Sequence, residues 1–345
     1  MKAVVFHEHG GPEVLRYEEV EDPTPGPGEA LVRVRTVTVN RGLDARVRQS
    51  GYGFAGFTLP HVGGADPAGE VVALGPGVTQ VAVGDRVIAY PVLNCGECDF
   101  CLRGAGENYC RRFRVIGVHT WGGFADYVRL PADKLVTLPD GVAYESASTL
   151  PVSYLPAIHG LLTLARLGPD DTLLVMAAGS GIGMAAMDLG RMVGARVIAT
   201  AGPEWKLKRA LEVGADVAVS YADPDWVAQV RDHTDGRGAS VVFDNIGGET
   251  WPQSLSLADR GARIVCSGTT GTPQVTLNLL DLYRNMITGY FHMQGTSAEL
   301  RTLVDAVANG RLHPVIDSRF PLADIVAADR RLAERQNFGK VVLTP

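Results

Sequence analysis

Cysteine is scarce in this sequence, and the few cysteines lie almost all in one place. Four of the five, Cys95, Cys98, Cys101 and Cys110, fall within sixteen residues, and the fifth is Cys266. The chain therefore offers one thiol-based metal site and no second one. Cys266 ends an apolar stretch, where we expect it to pack as a small hydrophobic residue.

An excess of basic residues and long apolar runs are also missing. The chain has 32 Lys and Arg against 38 Asp and Glu, a net charge of −6, and no basic stripe to neutralise the phosphates of a nucleic acid. Its longest apolar runs, such as TLLVMAA at 172–178, are far shorter than the roughly 18 residues that span a membrane. The start, MKAVVFHEHGG, has the pattern of a strand and a turn rather than of a signal peptide. We therefore expect a cytoplasmic protein without a nucleic-acid or membrane partner.

The clustered cysteines follow the spacing Cys-x2-Cys-x2-Cys-x8-Cys in a loop that also contains Gly96, Gly104 and Gly106. A tetrahedral zinc ion takes four thiolates at about 2.3 Å, and two-residue spacings let one loop supply three of them. Two disulfides or an iron–sulfur cluster are the alternatives, but nothing else in the sequence indicates an oxidising compartment or an electron carrier. Four protein ligands leave no open coordination position, so the pattern predicts one structural zinc ion.

The pattern of apolar residues changes along the chain. Up to about Tyr90, strands of period two such as EALVRVRTVTVN at 29–40 alternate with glycine and proline turns, which predicts an antiparallel β-rich lobe. From about Ser146, apolar strands alternate with glycine turns and helices, which predicts a parallel sheet covered on both faces. After about His292, two amphipathic helices precede a last strand, GKVVLTP. The predicted fold class is therefore α/β, with a β-rich lobe and a doubly wound parallel-sheet domain.

The turn AAGSGIGMAA at 177–186 joins a buried strand to a helix, the context in which backbone amides and a helix N-terminus approach a pyrophosphate. The strict Gly-x-Gly-x-x-Gly spacing fails, because Gly179, Gly181 and Gly183 alternate and Met184 follows. Further strand and helix units behind the turn nevertheless favour dinucleotide binding over a plain turn.

The residues at the end of the next strand determine whether the chain prefers NAD or NADP, because they lie beside the 2′ position of the ribose. There the chain has Ala201 and Gly202, with no acidic residue to hold the ribose 2′-hydroxyl of NAD. Lys206 follows closely and can neutralise a 2′-phosphate, so NADPH is favoured over NADH. The alternatives are that Lys206 belongs to a solvated helix face and that Glu204 serves NAD.

Seven stretches together resemble the medium-chain dehydrogenase/reductase superfamily over essentially the full length of the chain, and its quinone oxidoreductase branch most. They are GGPEVL at 10–15, PGPGEALVRVRTVTVNRGLD at 25–44, GVTQVAVGDRV at 77–87, GGFADYV at 122–128, GARVIATAG at 194–202, VVFDNIGG at 241–248 and FGKVVL at 338–343. The resemblance implies a GroES-like β-rich catalytic domain over residues 1–153 and 293–345 and a Rossmann NADP-binding domain over residues 154–292.

Zinc alcohol dehydrogenases of this superfamily place a cysteine, a histidine and a second cysteine around a catalytic metal. The resemblance puts Asn40 at the first position, Ala65 and Asp66 where a Gly-His-Glu is expected, and Val152 near the third. Neither an amide, a methyl nor an isopropyl group replaces a thiolate or an imidazole on zinc, so we expect no catalytic zinc. The cysteine loop also departs slightly from the family, with one residue more than usual before Cys110.

Without a Lewis acid, a quinone or a conjugated C=C bond is the easier hydride acceptor, because charge delocalises to an oxygen that hydrogen bonds can stabilise. The resemblance places Asn40 beside the nicotinamide, where its amide would donate to the substrate oxygen or orient the carboxamide. Tyr52 matches a region where quinone reductases carry a tyrosine in the cleft, and its hydroxyl is a candidate donor; the alternative is a loop aromatic without a role. His119 precedes a stretch that often lines the substrate pocket in the superfamily, although a lone histidine is more often structural.

The resemblance also assigns cofactor contacts and an assembly. The residues for the pyrophosphate are Ser180, Gly181 and Ile182; those for the 2′-phosphate and adenine are Gly202, Lys206 and Tyr221; those for the nicotinamide riboside are Asn245, Ser267, Gly268 and Thr269. Analogy with the family implies a homodimer or a homotetramer.

Three functions stay open on the sequence alone. The first is an NADPH-dependent reductase that transfers hydride to a quinone or an α,β-unsaturated carbonyl. The second is a carbonyl reductase or alcohol dehydrogenase with improvised metal ligands such as Asp44, His61 or Asp66. The third is a non-catalytic NADPH-binding structural or regulatory protein. A metal content of one zinc ion per chain fits the first function, and two fit the second.

Overall fold

The structure of the protein is a computed structural model that describes residues 1–50, 57–248 and 250–345. The described chain divides into two compact units. Unit 1 consists of Met1–Val152, Thr296–Gly310 and Val315–Pro345, and unit 2 consists of Ser153–Gly295 and Arg311–Pro314.

The regular elements follow one another along the described chain. The strands are β1 Lys2–Val5, β2 Arg16–Glu19, β3 Glu29–Val39, β4 Ala68–Leu74, β5 Arg86–Ala89, β6 Val92–Leu93, β7 Arg114–Val115, β8 Tyr127–Pro131, β9 Leu135–Thr137, β10 Thr172–Val175, β11 Arg196–Ala201, β12 Val217–Ser220, β13 Ala239–Phe243, β14 Ala258–Cys266, β15 Thr288–Phe291, β16 Ile316–Pro321 and β17 Lys340–Thr344. The α-helices are α1 Arg46–Ser50, α2 Asp99–Leu102, α3 Tyr144–Ser148, α4 Leu155–Ile158, α5 Gly181–Val193, α6 Glu204–Glu212, α7 Trp226–Asp232, α8 Thr250–Ser256, α9 Leu279–Arg284, α10 Ser297–Ala308 and α11 Ile325–Ala333. Short 3-10 or π-helical turns lie at Pro12–Val14, Arg41–Ala45, Glu107–Tyr109, Ala132–Lys134, Leu150–Tyr154, His159–Leu164 and Leu322–Asp324.

Unit 1 is organised around the long strand β3. Along it, Ala30, Val32 and Val34 are buried while Arg33 and Arg35 are exposed, as expected for a strand with one face on a core. Its main sheet has the order β16-β17-β3-β4-β5-β9, and β8 also pairs with β3. The pairs of β3 with β4, β8 and β17 are all antiparallel, which confirms the predicted antiparallel β-rich lobe.

The last strand of the chain completes this sheet. In the pairing of β17 with β3, Val341 lies opposite Val39 and Val342 lies opposite Thr38. The same register brings Lys340 beside Asn40, immediately after the end of β3, although the two residues are 300 positions apart in sequence. The C-terminal strand therefore delivers a side chain to the place where β3 ends.

Unit 2 contains a six-stranded sheet in the order β12-β11-β10-β13-β14-β15, and every pairing in it is parallel. Leu173, Leu174 and Val175 in β10 are all buried, because helices cover both faces of such a sheet. The first strand, β10, lies beside β13, so the strand order reverses between these two. Ligands of doubly wound sheets bind at the carboxyl ends of the strands at this switch point. The predicted doubly wound parallel sheet is confirmed.

Within the described parts of the chain, no helix is both long enough and apolar enough to cross a membrane.

Candidate active site and metal centre

The four clustered cysteines meet in one place in unit 1. Their sulfur atoms all lie within 4.8 Å of one another. The Sγ atoms of Cys98 and Cys101 are 3.5 Å apart. The distance is 4.0 Å from Cys95 Sγ to Cys101 Sγ, and also from Cys98 Sγ to Cys110 Sγ. Four thiolates at about 2.3 Å from a tetrahedral zinc ion are about 3.8 Å apart, so the cysteines present fit a zinc ion. All four ligands come from the protein, and such a closed site holds structure rather than catalyses.

Backbone amides surround the sulfur atoms, as a thiolate site requires. The N–H groups of Cys95 and Arg112 donate to Cys110 Sγ at 3.2 and 3.3 Å, and the N–H of Cys98 donates to Cys95 Sγ at 3.3 Å. The backbone N–H of Glu97 lowers the pKa of the Cys95 thiol to about 6, whereas burial raises the pKa of Cys110 to about 11. A zinc ion would favour the thiolate form of all four.

At the three positions where related alcohol dehydrogenases hold a catalytic zinc ion, this chain has two apolar side chains and an asparagine whose amide already has hydrogen-bond partners. Ala65 is fully buried in a small cluster with Phe6 and Val115, and Val152 packs against the same cluster. Among residues 1–50, 57–248 and 250–345, the four cysteines are the one group of three or more His, Cys, Asp or Glu side chains placed to hold a metal ion.

Asn40 lies at the centre of a buried polar network at the end of β3. Its Nδ2 donates to Asp66 Oδ2 at 2.9 Å and to the Thr38 carbonyl oxygen at 3.2 Å, so both amide hydrogens have acceptors. Its Oδ1 accepts a hydrogen bond from the Lys340 ammonium, and its backbone N–H donates to Asp44 Oδ2 at 2.6 Å. The amide orientation is thereby fixed from both ends, because an ammonium faces only the oxygen and a carboxylate faces only the nitrogen.

The charged members of this network are strongly affected by burial. Burial raises the pKa of Asp44 to about 7, and it also raises the pKa of Asp66. The same desolvation lowers the pKa of Lys340. Two carboxyl groups around one ammonium carry a net negative charge when all are ionised, so a proton on Asp44 makes the cluster neutral.

His119 is held in one tautomer. The backbone N–H of Val115 donates to His119 Nδ1 at 2.9 Å, which leaves the ring proton on Nε2. Burial lowers the pKa of His119, so the ring is neutral at pH 7 and Nε2 is a hydrogen-bond donor. Tyr52, the other predicted proton donor, lies outside the described residues.

The improvised metal ligands considered from the sequence have other partners. Asp44 and Asp66 accept the backbone N–H groups of Asn40 and Thr38. The His61 ring bonds to the Gly117 carbonyl oxygen through Nε2 at 3.0 Å, and burial lowers its pKa.

The glycine turn of unit 2 ends in a well-formed helix N-terminus. Ser180 is the N-cap of α5, and its hydroxyl accepts the N–H of Gly183 at 3.0 Å. A Cβ on Gly183 would lie 2.4 Å from the Ala177 carbonyl oxygen, so glycine is required there for the turn to close. The first amides of α5, at Gly181 and Ile182, have no partner within the helix and suit an anion such as a pyrophosphate.

The predicted 2′-phosphate residues sit at the end of β11 and the start of α6. A Cβ on Gly202 would come 3.3 Å from the Tyr221 ring, so the absence of a side chain keeps this position open beside the aromatic. Lys206 lies in the first turn of α6, with Nζ 5.2 Å from the centre of the Trp205 ring. Glu204, the alternative NAD-binding acid, pairs with Lys208 at 2.9 Å, and this partner lowers the pKa of Glu204.

Asn245 carries a buried donor without a partner in the described chain. Its Oδ1 accepts the backbone N–H of Ser267 at 2.6 Å and the Ser267 hydroxyl at 3.2 Å, which fixes the amide orientation. Its Nδ2 is buried, and no acceptor for it lies among the residues that the structure describes. Asn245 follows β13 at the switch point of the sheet, where a dinucleotide would supply an acceptor. Thr269 and Gly247 lie close together in the neighbouring turns. The residues present therefore fit a nicotinamide dinucleotide.

Two family models match the chain: the alcohol dehydrogenase GroES-like domain at residues 26–140 and the zinc-binding dehydrogenase domain at residues 181–309. The chain is 30% identical to a quinone oxidoreductase of Pseudomonas aeruginosa over 100% of this chain and 99% of that protein. It is also 30% identical to a 2-haloacrylate reductase of a Burkholderia species, over 99% of this chain and 98% of that protein. A solved structure of an NAD-dependent alcohol dehydrogenase superposes with a TM-score of 0.95 at 39% identity and covers 100% of both chains.

A GroES-like unit with a four-cysteine loop and a doubly wound nucleotide-binding unit define a nicotinamide-dependent oxidoreductase acting on small molecules. The chain belongs to the medium-chain dehydrogenase/reductase superfamily. This confirms the family resemblance and the α/β fold class of a GroES-like and a Rossmann domain.

Sequence reasoning missed the buried partners of Asn40. In the sequence, Lys340 is one residue of the stretch FGKVVL, and nothing local to that stretch indicates a contact with Asn40. A lysine at the start of an otherwise apolar strand is the available signal, because a buried lysine is rare unless it is paired.

Proposed function

We propose that the protein is an NADPH-dependent reductase of quinones or α,β-unsaturated carbonyl compounds that works without a catalytic metal. The observation that carries this proposal is the replacement of the three metal ligands. Asn40 is bound within its own network, and Ala65 and Val152 belong to an apolar cluster. The similarity to a quinone oxidoreductase and to a 2-haloacrylate reductase supports it, since 2-haloacrylate contains a conjugated C=C bond.

Bound NADPH supplies the hydride in this scheme. The chain must then bind the substrate oxygen on which negative charge develops and supply one proton to the product. His119 Nε2–H and the Tyr52 hydroxyl are the proposed donors, because neutral donors stabilise an enolate or a hydroquinone oxygen by hydrogen bonding. We assign to Asn40 the role of shaping the substrate site within unit 1. Donation from its amide to a substrate would require one of its present hydrogen bonds to break.

We propose NADPH rather than NADH because of the charges at the end of β11. Gly202 leaves space beside the Tyr221 ring, and Lys206 supplies a positive charge in the first turn of α6. The nearest acid, Glu204, is paired with Lys208. Ser180, Gly181 and Ile182 would bind the pyrophosphate. Asn245, Ser267, Gly268 and Thr269 would bind the nicotinamide riboside, with Asn245 Nδ2 as a donor.

An NAD-dependent alcohol dehydrogenase is the second candidate, because a structure of that description superposes with 39% identity. That activity in this superfamily would need a metal or another electrophile near the substrate oxygen. The two candidates therefore differ in metal content and in their response to a chelator.

The deciding experiment follows the consumption of NADPH and NADH with p-quinones and enones, and with simple aldehydes as controls, before and after treatment with EDTA. We expect turnover of a quinone or an enone with NADPH that EDTA does not abolish, and one zinc ion per chain. Oxidation of a plain alcohol with NAD that EDTA abolishes would establish the second candidate. If no substrate gives steady turnover, the result would favour the third function, a non-catalytic NADPH-binding protein.

We further propose a homodimer. Among the described residues, β15 is the edge of the parallel sheet in unit 2, and the backbone groups on its outer side can bond to a second copy. Large apolar side chains are exposed on it and near it, namely Leu279, Tyr283, Met286, Phe291 and Met293. These five side chains fall within fifteen residues of the chain, and large exposed apolar patches mark interaction surfaces.

A further inference from the structure

One of the four cysteines differs from the others in what surrounds its sulfur. The sulfurs of Cys95, Cys98 and Cys110 each accept backbone N–H groups from the loop itself, and Cys95 also accepts a side-chain hydrogen bond from Arg112. Apart from the other cysteines, Cys101 Sγ has a side-chain donor in the described chain, Asn94 Nδ2 at 3.7 Å. The support of this thiolate therefore depends on a replaceable side chain.

Asn94 is in turn held by a buried cation. Lys134 Nζ donates to Asn94 Oδ1 at 2.6 Å, and the Lys134 side chain is only 9% exposed. An ammonium has no acceptor, so it must face the amide oxygen and thereby turns the amide nitrogen towards Cys101. The same lysine forms an ion pair with Asp133 at 3.0 Å.

Lys134 is anchored in the main sheet rather than in the cysteine loop. It lies in the turn Ala132–Lys134 between β8 and β9, and its carbonyl oxygen accepts the N–H of Tyr90 at 2.7 Å, just after β5. Its position is therefore set by the sheet, whether or not a metal is bound. A chain of two polar contacts then connects this fixed point to the Cys101 sulfur.

A cation close to the zinc site would stabilise it, because the occupied site is negatively charged. Four thiolates around Zn²⁺ carry a net charge of −2, and a nearby buried cation offsets it. Two other cations nearby, Arg111 and Arg112, have exposed side chains that pair with Asp99 and Glu97. Lys134 is also paired, with the more exposed Asp133, but it is the buried cation of these three, so solvent screens its effect least.

We propose that Lys134 and Asn94 are positioning residues of the zinc site, which fix the Cys101 thiolate and slow the release of the metal. Outer partners of metal ligands typically change metal affinity by about 10- to 100-fold when they are removed. Loss of either residue should therefore accelerate zinc release without removing a ligand.

The test uses the full-length zinc protein and the variants Lys134→Met and Asn94→Ala, with Lys208→Met as the control. Lys208 is an exposed lysine in an ion pair, far in sequence from the cysteines. Zinc transfer to a coloured chelator is followed over time, and the visible spectrum of the cobalt-substituted protein reports on the thiolates. We expect roughly 10- to 100-fold faster release in both variants, a shifted sulfur-to-cobalt band, and no change in the control.

The double variant distinguishes an effect that passes from Lys134 through Asn94 to Cys101 from two independent effects on zinc release. Because Lys134 orients Asn94, the double variant should release zinc less rapidly than the product of the two single-variant accelerations, whereas two independent effects would multiply. Release rates within about twofold of the unchanged protein in both single variants, with an unshifted cobalt spectrum, would overturn the proposal. If Lys134→Met does not fold, Asn94→Ala alone decides, since Asn94 is partly exposed and its backbone is unaffected.

Discussion

At the residue scale, the candidate substrate site in unit 1 depends on what surrounds Asn40. An asparagine alone carries no charge and binds zinc poorly, but here it is placed between the Lys340 ammonium and the Asp66 carboxylate. In this buried network the positive charge comes from Lys340. Its two acidic members, Asp44 and Asp66, then determine how the network responds to pH.

We predict that Asp44 makes the protein less stable as the pH rises. Its pKa is raised from 3.8 to about 7 in the folded chain, so the folded state holds the proton more tightly than the unfolded state. The stabilisation is complete below about pH 4 and is lost as the pH rises through about 7. The variant Asp44→Asn mimics the protonated form, so it should gain about 1–4 kcal/mol relative to the unchanged protein between about pH 5 and 8.5.

Thermal unfolding midpoints of both proteins across this pH range measure the effect. The raised pKa of Asp66 acts in the same direction and the lowered pKa of Lys340 in the opposite direction, but both are present in the two proteins. Asp235→Asn, at an exposed side chain, is the control and should leave the pH dependence unchanged. Parallel curves for Asp44→Asn and the unchanged protein would show that Asp44 does not titrate in this range.

A second prediction at this scale concerns Lys206. A charge-assisted hydrogen bond to a phosphate contributes about 1.5–3 kcal/mol, so Lys206→Ala should weaken NADPH binding by roughly 10- to 100-fold and leave NADH binding unchanged. Lys208→Ala is the matched control, since Lys208 lies on the same helix but pairs with Glu204. Dissociation constants from cofactor fluorescence give the answer. An equal loss for both cofactors would place Lys206 outside the 2′-phosphate site.

At the scale of single elements, the sequence is most informative where neighbours in the chain create the site. The cysteine loop and the glycine turn before α5 are both local, so their spacing is enough to predict where they lie. Lys340 meets Asn40 only because β17 pairs with β3, and the unpartnered Nδ2 of Asn245 depends on the turn at Ser267. Contacts of this kind follow from tertiary pairing, which local patterns do not contain.

We predict that the cysteine loop requires its metal to remain folded but that the nucleotide-binding unit does not. Cys98→Ser replaces a thiolate by a poor zinc ligand and should release the metal, because three thiolates no longer close the site. A structural site contributes folding free energy directly, so the thermal midpoint should fall. NADPH affinity should stay within about threefold, since α5 and β11 lie in the other unit.

Elemental analysis, thermal unfolding and NADPH titration test this prediction on one preparation. Cys266→Ser is the matched control, because Cys266 ends β14 in unit 2 and bonds through Sγ to the Gly268 carbonyl oxygen. It should keep its zinc. Full zinc content in Cys98→Ser would contradict the four-cysteine site.

At the scale of the whole molecule, the distribution of exposed apolar side chains is uneven. The stretch from α9 to the residues after β15 exposes Leu279, Tyr283, Met286, Phe291 and Met293. The strand itself is an edge, and identical edge strands can pair antiparallel around a two-fold axis to join two sheets into one. This combination of backbone and apolar surface is what supports the proposed homodimer.

The last prediction tests that edge. Phe291→Glu places a charge on a side chain that is 66% exposed in the single chain and stacks on Trp251, so it should cost a monomer much less than a dimer. Burying an unpaired carboxylate on each side of a two-fold interface costs several kcal/mol in total, which raises the dimer dissociation constant by roughly a hundredfold or more. Light scattering on a size-exclusion column should therefore give about twice the chain mass of 36.7 kDa for the unchanged protein and the chain mass for the variant. Leu102→Glu is the control, because Leu102 is 75% exposed in the cysteine loop of the other unit and should leave the mass unchanged. A dimer that survives Phe291→Glu but dissociates with Leu102→Glu would move the interface to the cysteine loop.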